Sequence, residues 1–427
     1  MSNRQSADGQ DAEDAVTQQI HHDEYRAALA LRHTPGLGPR TWKRIAEGFP
    51  TLTDAARNAG GWKELRLTRG TVSAAFLSKT WLKAAEQEYC LVRERGWRYV
   101  TWSDPRFPRL LKTIPDPPLY LYYLGDVTLM NAPSLALVGS RQCSAYGLEA
   151  ARVLGEELSR SGVTIVSGLA LGIDRQAHLA GLSAVGSSVA VLGTGLDRIY
   201  PEANADIWEQ LRTRGLIITE FPPLTLPEPQ NFPVRNRIIS GMSLGVLVAE
   251  AAEKSGSLIT ARLALDQGRD VFALPGPVTQ ATYGGCHALI RQGAQLITSA
   301  AEIMVTLDRE LRSALNSAEA CETESESKGH GPGITQPVGR RNADKHSKMA
   351  LDASPQTDDE PGMHIDNLAP EEGEVLRALT VESRTHIDVL VRATGLASSR
   401  MSGILLALEL KGLVRQWPGM YYSRNSS

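Results

Sequence analysis

The sequence predicts an α/β chain built on a parallel sheet covered on both faces by helices, with a helical module before it and a second small domain after it. Three observations carry this reading. Six short segments between residues 134 and 274 are apolar throughout and alternate with stretches of helical periodicity. A Gly- and Pro-containing turn, Thr34-Pro35-Gly36-Leu37-Gly38-Pro39-Arg40, divides amphipathic segments over residues 23–97. Residues 366–424 read as three helices followed by a hairpin.

The six predicted strands are 135–138, 163–166, 188–192, 215–220, 244–249 and 270–274. A strand buried on both faces shows no polar alternation, and these show none. Each is followed by a turn leading into a helix, the order of a Rossmann-like fold, assigned to residues 134–307.

Residues 1–22 are polar and acidic and are expected to form a disordered tail. In residues 23–97, Trp42, Ile45, Ala46 and Phe49 fall at helical spacing. The Gly36–Pro39 turn resembles a helix-hairpin-helix connection, so this module is read as helix-hairpin-helix or SAM-like. Residues 98–133 contain Asp104-Pro105, Phe107-Pro108 and Pro115-Asp116-Pro117-Pro118, which favour an extended connector, with a short strand over 119–124. Residues 308–365 read as a flexible linker rich in Ser, Glu, Gly and Pro. In 366–427, helices over 371–379, 387–394 and 398–411 precede strands over 413–417 and 420–422 joined by Pro418-Gly419, the pattern of a winged helix.

The chain has 427 residues, 42% hydrophobic and 22% charged, enough for several buried cores. No apolar run approaches the length of a membrane span, and the N-terminus lacks the basic and apolar regions of a signal peptide. The four cysteines are scattered, without a CxxC pair, so neither a zinc site nor a disulfide framework is expected. A cytoplasmic location follows as the expectation. The net charge of −3 conceals an uneven distribution, with 17 Lys+Arg against 10 Asp+Glu in residues 23–118. In residues 119–305, 12 of 13 basic residues are Arg, whose planar fork suits phosphate oxygens.

In a parallel sheet of this type, ligands sit at the carboxyl ends of the strands. Three successive strand ends here are Gly- and Ser-rich: Gly139-Ser140-Arg141, Ser167-Gly168-Leu169-Ala170, and Gly193-Thr194-Gly195. Such turns ahead of helices suit backbone contact with phosphates. The candidate anion ligands are therefore Gly139, Ser140, Arg141, Ser167 and Gly168. Residues 231–241 add Arg235, Asn236 and Arg237 for phosphate and sugar, with Phe232 to stack on a base. Residues 255–262 add Ser257 and Thr260. The GxGxxG fingerprint is absent after the first strand and the Walker pattern is absent altogether, so no nucleotide cofactor and no metal are expected.

These segments together resemble the DprA/Smf family of bacterial DNA-processing proteins. The matching elements are GSR at 139–141, SGLAxGID at 167–174 with Ala177-His178, LGTGLDxxYP at 192–201, FPxRNRIISG at 232–241, SGSLITAR at 255–262 and VFALPGP at 271–277. The resemblance implies a protein that binds single-stranded DNA during natural transformation, shields it from nucleases and loads RecA recombinase. It implies a homodimer, and phosphate contact by the arginine of the GSR turn, here Arg141. Two positions depart from the family pattern: Thr219-Glu220-Phe221-Pro222 stands for SExP, and His287 replaces the usual Asn, where it could still donate to phosphate. A nucleotide hydrolase is the rival reading, with Asp174, His178 and Glu250 as its candidate groups. The PGGxGTxxE motif of the phosphoribohydrolases on related folds is absent, and His178 reads as a packing residue, so no catalytic set is assigned. A third reading is an adaptor whose winged helix recruits a partner.

Overall fold

The structure is a computed structural model that describes residues 3–311 and parts of 370–424. The chain divides into two compact units, residues 1–334 and 335–427.

In the first unit, five helices come first: α1 (Asn3–Arg32), α2 (Pro39–Glu47), α3 (Leu52–Arg57), α4 (Gly70–Leu77) and α5 (Leu82–Glu94). Pro39 occupies the first turn of α2, where its missing N–H costs nothing. The sheet strands follow: β1 (Arg98–Thr101), β2 (Tyr120–Gly125), β3 (Ser134–Val138), β4 (Thr164–Ser167), β5 (Ser188–Val191), β6 (Leu216–Thr219), β7 (Gly245–Val248), β8 (Asp270–Ala273) and β9 (Gln295–Leu296). Between them run α6 (Arg109–Thr113), α7 (Ala145–Arg160), α8 (Ile173–Leu182), α9 (Ala205–Arg214), α10 (Asn231–Gly241), α11 (Ser257–Asp266), α12 (Gly284–Arg291) and α13 (Ala300–Thr306).

The nine strands lie in the order β1-β2-β6-β5-β4-β3-β7-β8-β9. From β6 to β9 all pairs are parallel. Successive strand residues alternate between two cores. Ala136, Val138, Val166, Val246 and Val248 join the core on one face. Leu135, Leu137, Ile165 and Leu247 join the core on the other. This is why the segments are apolar without alternation. The chain steps outward from β3 to β6, then returns to place β7 on the other side of β3, so the strand order reverses between β3 and β7.

The structure departs from the expectations in two places. Residues 98–133 are not a connector alone: β1 and β2 extend the sheet antiparallel beyond β6. The helix α1 begins well before residue 23, against the expected tail over 1–22. Its last turns are held by His21, stacked on Tyr99 at 4.7 Å, and by His22, whose Nδ1 lies 3.1 Å from the Tyr99 hydroxyl.

In the second unit, α14 (Pro370–Ala378) and α15 (Ile387–Thr394) accompany a three-stranded antiparallel sheet. Its strands are β10 (Thr385–His386), β11 (Val414–Trp417) and β12 (Tyr421–Arg424), in the order β10-β12-β11. Of the helix expected over 398–411, Met401, Ile404, Leu405 and Leu408 are described. All four are helical and buried, at the spacing of one helix face. The expected linker lies outside the described residues beyond residue 311. Among the described residues no helix is long and apolar enough to cross a membrane.

Candidate nucleic-acid interface

A cleft of about 640 Å³ opens where the strand order reverses, beyond the carboxyl ends of β3 and β7. Its lip is residues 139–142, following β3. Residues 255–257 and the first turn of α11 line the side following β7, and Tyr200 reaches in from the turn after β5.

The turn after β3 is fixed by its neighbours. Ser140 N donates to the Glu250 carbonyl (2.7 Å), and Ile173 N donates to the Ser140 carbonyl (3.1 Å). Gly139 faces Ile173, and Gly172, at φ +76°, faces the Ser140 and Arg141 carbonyls. A Cβ at either glycine would fall within 3 Å of those atoms. The close approach leaves Arg141 exposed at the tip. Its guanidinium lies 5.6 Å from the Phe232 ring and forms no ion pair among the described residues. Tyr200 packs against Phe232 at 5.7 Å between ring centres.

Eight of the eleven sequence candidates line this cleft: Gly139, Ser140, Arg141, Phe232, Arg235, Asn236, Ser257 and Thr260. The other three do not. Ser167 is fully buried and its hydroxyl donates to the Leu137 carbonyl (2.7 Å). Gly168 is a seat for Arg235: its carbonyl accepts from Arg235 Nη1 (2.7 Å), and a side chain there would collide with the guanidinium. It borders a small adjoining cavity of about 60 Å³. Arg237 is 5% exposed and paired with Glu220, itself buried, at 2.5 Å. It is a core ion pair, because α10 packs this side against the end of β6.

Arg235 also differs from the expectation. It borders the cleft but is 4% exposed, with Nη1 engaged by the Gly168 and Val191 carbonyls. Burial pulls its pKa down to about 10, with Asp174 opposing, so it stays cationic at neutral pH. Burial in turn raises the Asp174 pKa, against the pull of Arg235. The charge of Arg235 therefore acts from the floor of the cleft. Sequence reasoning left Gln142, Tyr200 and Ser255 out of the site. The Tyr200-Pro201 segment closing the turn after β5 was the available signal for Tyr200.

Of the groups considered for hydrolysis, Asp174 lines the cleft, whereas Glu250 and His178 are engaged in holding the fold. Glu250 is fully buried and accepts from Ser144 N (3.0 Å), the Ser144 hydroxyl (2.8 Å) and the Tyr283 hydroxyl (3.1 Å). His178 is fully buried, accepting from Leu169 N at Nε2 (3.1 Å), with Nδ1 2.8 Å from the Ser188 hydroxyl. His287 donates from Nε2 to the Gly276 carbonyl (3.1 Å) and does not line the cleft.

Burial, with Arg235 nearby, lowers the His178 pKa to about 3. The unfolded chain takes up this proton near pH 6.5, the folded chain only near 3, so stability falls as pH drops through that window. We expect His178 to account for about 2 kcal/mol of the stability lost between pH 7 and pH 5. Urea unfolding at the two pH values, wild type against His178→Gln, checks this. An equal loss in both proteins would contradict it.

A family profile described as DNA recombination-mediator protein A matches residues 98–308, and one described as the DprA winged helix domain matches residues 359–420. Protein Smf of Synechocystis sp. is 38% identical over 411 residues, covering 93% of this chain and 98% of its own. DNA processing protein DprA of Bacillus subtilis is 44% identical over 216 residues, covering 50% of this chain and 73% of its own. The X-ray structure of DprA from Streptococcus pneumoniae superposes with a TM-score of 0.56 at 35% identity, over 65% of this chain and 95% of that one. The chain belongs to the DprA/Smf family of DNA-processing proteins, with the mostly parallel α/β core and the winged helix of that family.

Proposed function

We propose that this chain is a non-enzymatic, cytoplasmic single-stranded DNA-binding protein that protects incoming DNA and loads RecA recombinase onto it during natural transformation and recombination, acting as a homodimer. One observation carries the DNA-binding reading: the cleft at the strand-order reversal combines an exposed arginine without an ion pair, a buried cation in its floor and hydroxyl groups along one side. A phosphodiester strand offers the anionic oxygens and planar bases that such a site can hold. Arg141 is the phosphate ligand in this reading. Phe232 stacks on a base, and Asn236, Ser257 and Thr260 make polar contacts. The RecA and homodimer assignments rest on family membership.

Arg141→Ala is expected to weaken binding of single-stranded oligonucleotides by about 1–3 kcal/mol, irrespective of sequence, as a charged contact to phosphate is lost. Anisotropy titrations with several oligonucleotide sequences measure this. A loss confined to one sequence would show that Arg141 reads bases, and no loss would remove it from the site.

A further inference from the structure

Cations of the helical module gather on a surface outside the cleft, and α10 connects the two. Asn236 borders the cleft. Arg237, one residue on, has its Nε 3.9 Å from Asp116, and Gly241, at the far end of the helix, packs closely against Leu111 and Ile114. Residues 110–116 therefore lie over α10 and lead away from the cleft. Basic side chains collect along this segment. Lys43 on α2 donates from Nζ to the Thr113 and Ile114 carbonyls, at 3.0 Å each. Arg269, beyond the end of α11, donates from Nη2 to the Leu110 carbonyl (3.1 Å) and the Thr113 hydroxyl (3.0 Å). The Lys112 ammonium is held 5.5 Å from the Trp102 ring and 5.7 Å from the Phe107 ring. Arg40 and Arg44 are exposed one turn apart on α2, on either side of Lys43.

The acids in contact with this surface are engaged. Glu47 is taken by Lys43 (3.7 Å), Asp104 by Arg106 (2.7 Å), and Asp116 leans to Arg237. Arg40, Arg44, Lys112 and Arg269 form no ion pair among the described residues. Arg40 also stands in the first turn of α2, which holds no acid and no side-chain cap. The helix dipole disfavours a cation there. Like charges gathered in this way repel one another, which a bound polyanion relieves.

We infer that this surface is a second contact for single-stranded DNA: the strand leaves the cleft along residues 110–116 and lays its phosphates against Arg40, Arg44 and Lys112. The inference rests on the cleft being the DNA site. It gives the helical module a part in DNA binding. It also makes affinity depend on strand length. The eleven residues of α10 span about 16 Å, so an oligonucleotide that only fills the cleft does not reach these cations.

Anisotropy titrations of the full chain with labelled oligothymidylates of about 4 and about 25 nucleotides test this, the shorter one sized to the cleft. The variant is Arg40→Gln with Arg44→Gln and Lys112→Gln, which removes three charges and keeps the side-chain stems. It is expected to bind the longer strand about tenfold more weakly and to flatten its salt dependence by about 2, three phosphates at about 0.7 each. Its affinity for the shorter strand should stay within about twofold of wild type, which also reports an intact fold. Arg141→Ala should weaken both strands. A triple variant that keeps wild-type affinity and salt slope on the longer strand would overturn the inference and leave the cleft reading standing. Equal losses on both strands would overturn it too, since the surface would then not act separately from the cleft. An Arg141→Ala protein unchanged on either strand would instead remove the cleft from the DNA site, and the continuous path with it. A duplex of the same length held as tightly, and weakened to the same degree in the triple variant, would make this a duplex site and overturn the assignment to a single strand.

Discussion

Glu88→Ala is expected to lower the free energy of unfolding by about 3–5 kcal/mol, the cost of breaking a buried charged network by removing one partner. Glu88 is 4% exposed on α5 and accepts from the hydroxyls of Tyr120 (2.6 Å) and Tyr122 (2.5 Å). His33 Nε2 lies 2.7 Å from its other oxygen. The tyrosines belong to β2 and His33 follows α1, so one carboxylate ties two helices to the sheet. Tyr25 completes the cluster, stacked on Tyr99 at 4.0 Å and sharing a hydrogen bond with Tyr122 (2.6 Å). Alanine would leave the two tyrosine hydroxyls and His33 without their acceptor. Burial pushes the Glu88 pKa up, but His33, Arg32 and the tyrosines outweigh it and hold the value below the ordinary one. The stabilisation is thus complete above the unfolded carboxylate pKa of about 4.3 and is lost as pH falls through the lower, folded value. Urea unfolding at pH 7 measures the loss. Glu88→Gln should cost less at pH 7, because it keeps an acceptor, and its deficit should shrink in acid. A Glu88→Ala protein as stable as wild type would refute the account of how the module is attached.

Arg237→Ala should also cost about 3–5 kcal/mol, and this time the effect separates stability from binding. The substitution strands Glu220, 3% exposed, as a buried carboxylate without its cation. Asp116, whose carboxylate lies 3.9 Å from Arg237 Nε, would lose a favourable neighbour as well. Because the side chain is buried, oligonucleotide affinity measured where the variant is still folded should stay within about twofold of wild type, less than 0.5 kcal/mol. Paired urea and anisotropy experiments distinguish the two effects. A stable protein with weakened DNA binding would mean that Arg237 faces the nucleic acid.

Much of this architecture was legible because burial on both faces of a parallel sheet demands uninterrupted apolar strands. β1 escaped notice for the opposite reason. It is a four-residue edge strand with Arg98 exposed, followed by Pro105 and Pro108, which favour extended chain of any kind. β9 is two exposed residues, too short for any periodicity to show. The cleft was legible as glycine-rich strand ends, since only such turns allow the approach seen between Gly139 and Ile173. What could not be read was which arginine faces outward. Arg235, Asn236 and Arg237 are consecutive on α10, and each helical step turns the side chain by about 100°. Asn236 is half-buried at the cleft, whereas its two neighbours are drawn into the core by different partners. Those partners, Gly168 and Glu220, lie far back in the chain, and only the folded sheet brings them together. The acid at 220, kept in the segment where Thr219 stands for the usual serine of the family pattern, is the counter-ion of Arg237.

The grip of Arg141 on a phosphate is tested most directly by the salt dependence of single-stranded DNA binding, wild type against Arg141→Ala. Each phosphate neutralised contributes about 0.7 to the slope of log K against log salt for a single strand. The account predicts that Arg141→Ala flattens the slope by about that amount. An unchanged slope would contradict it, whatever the change in affinity.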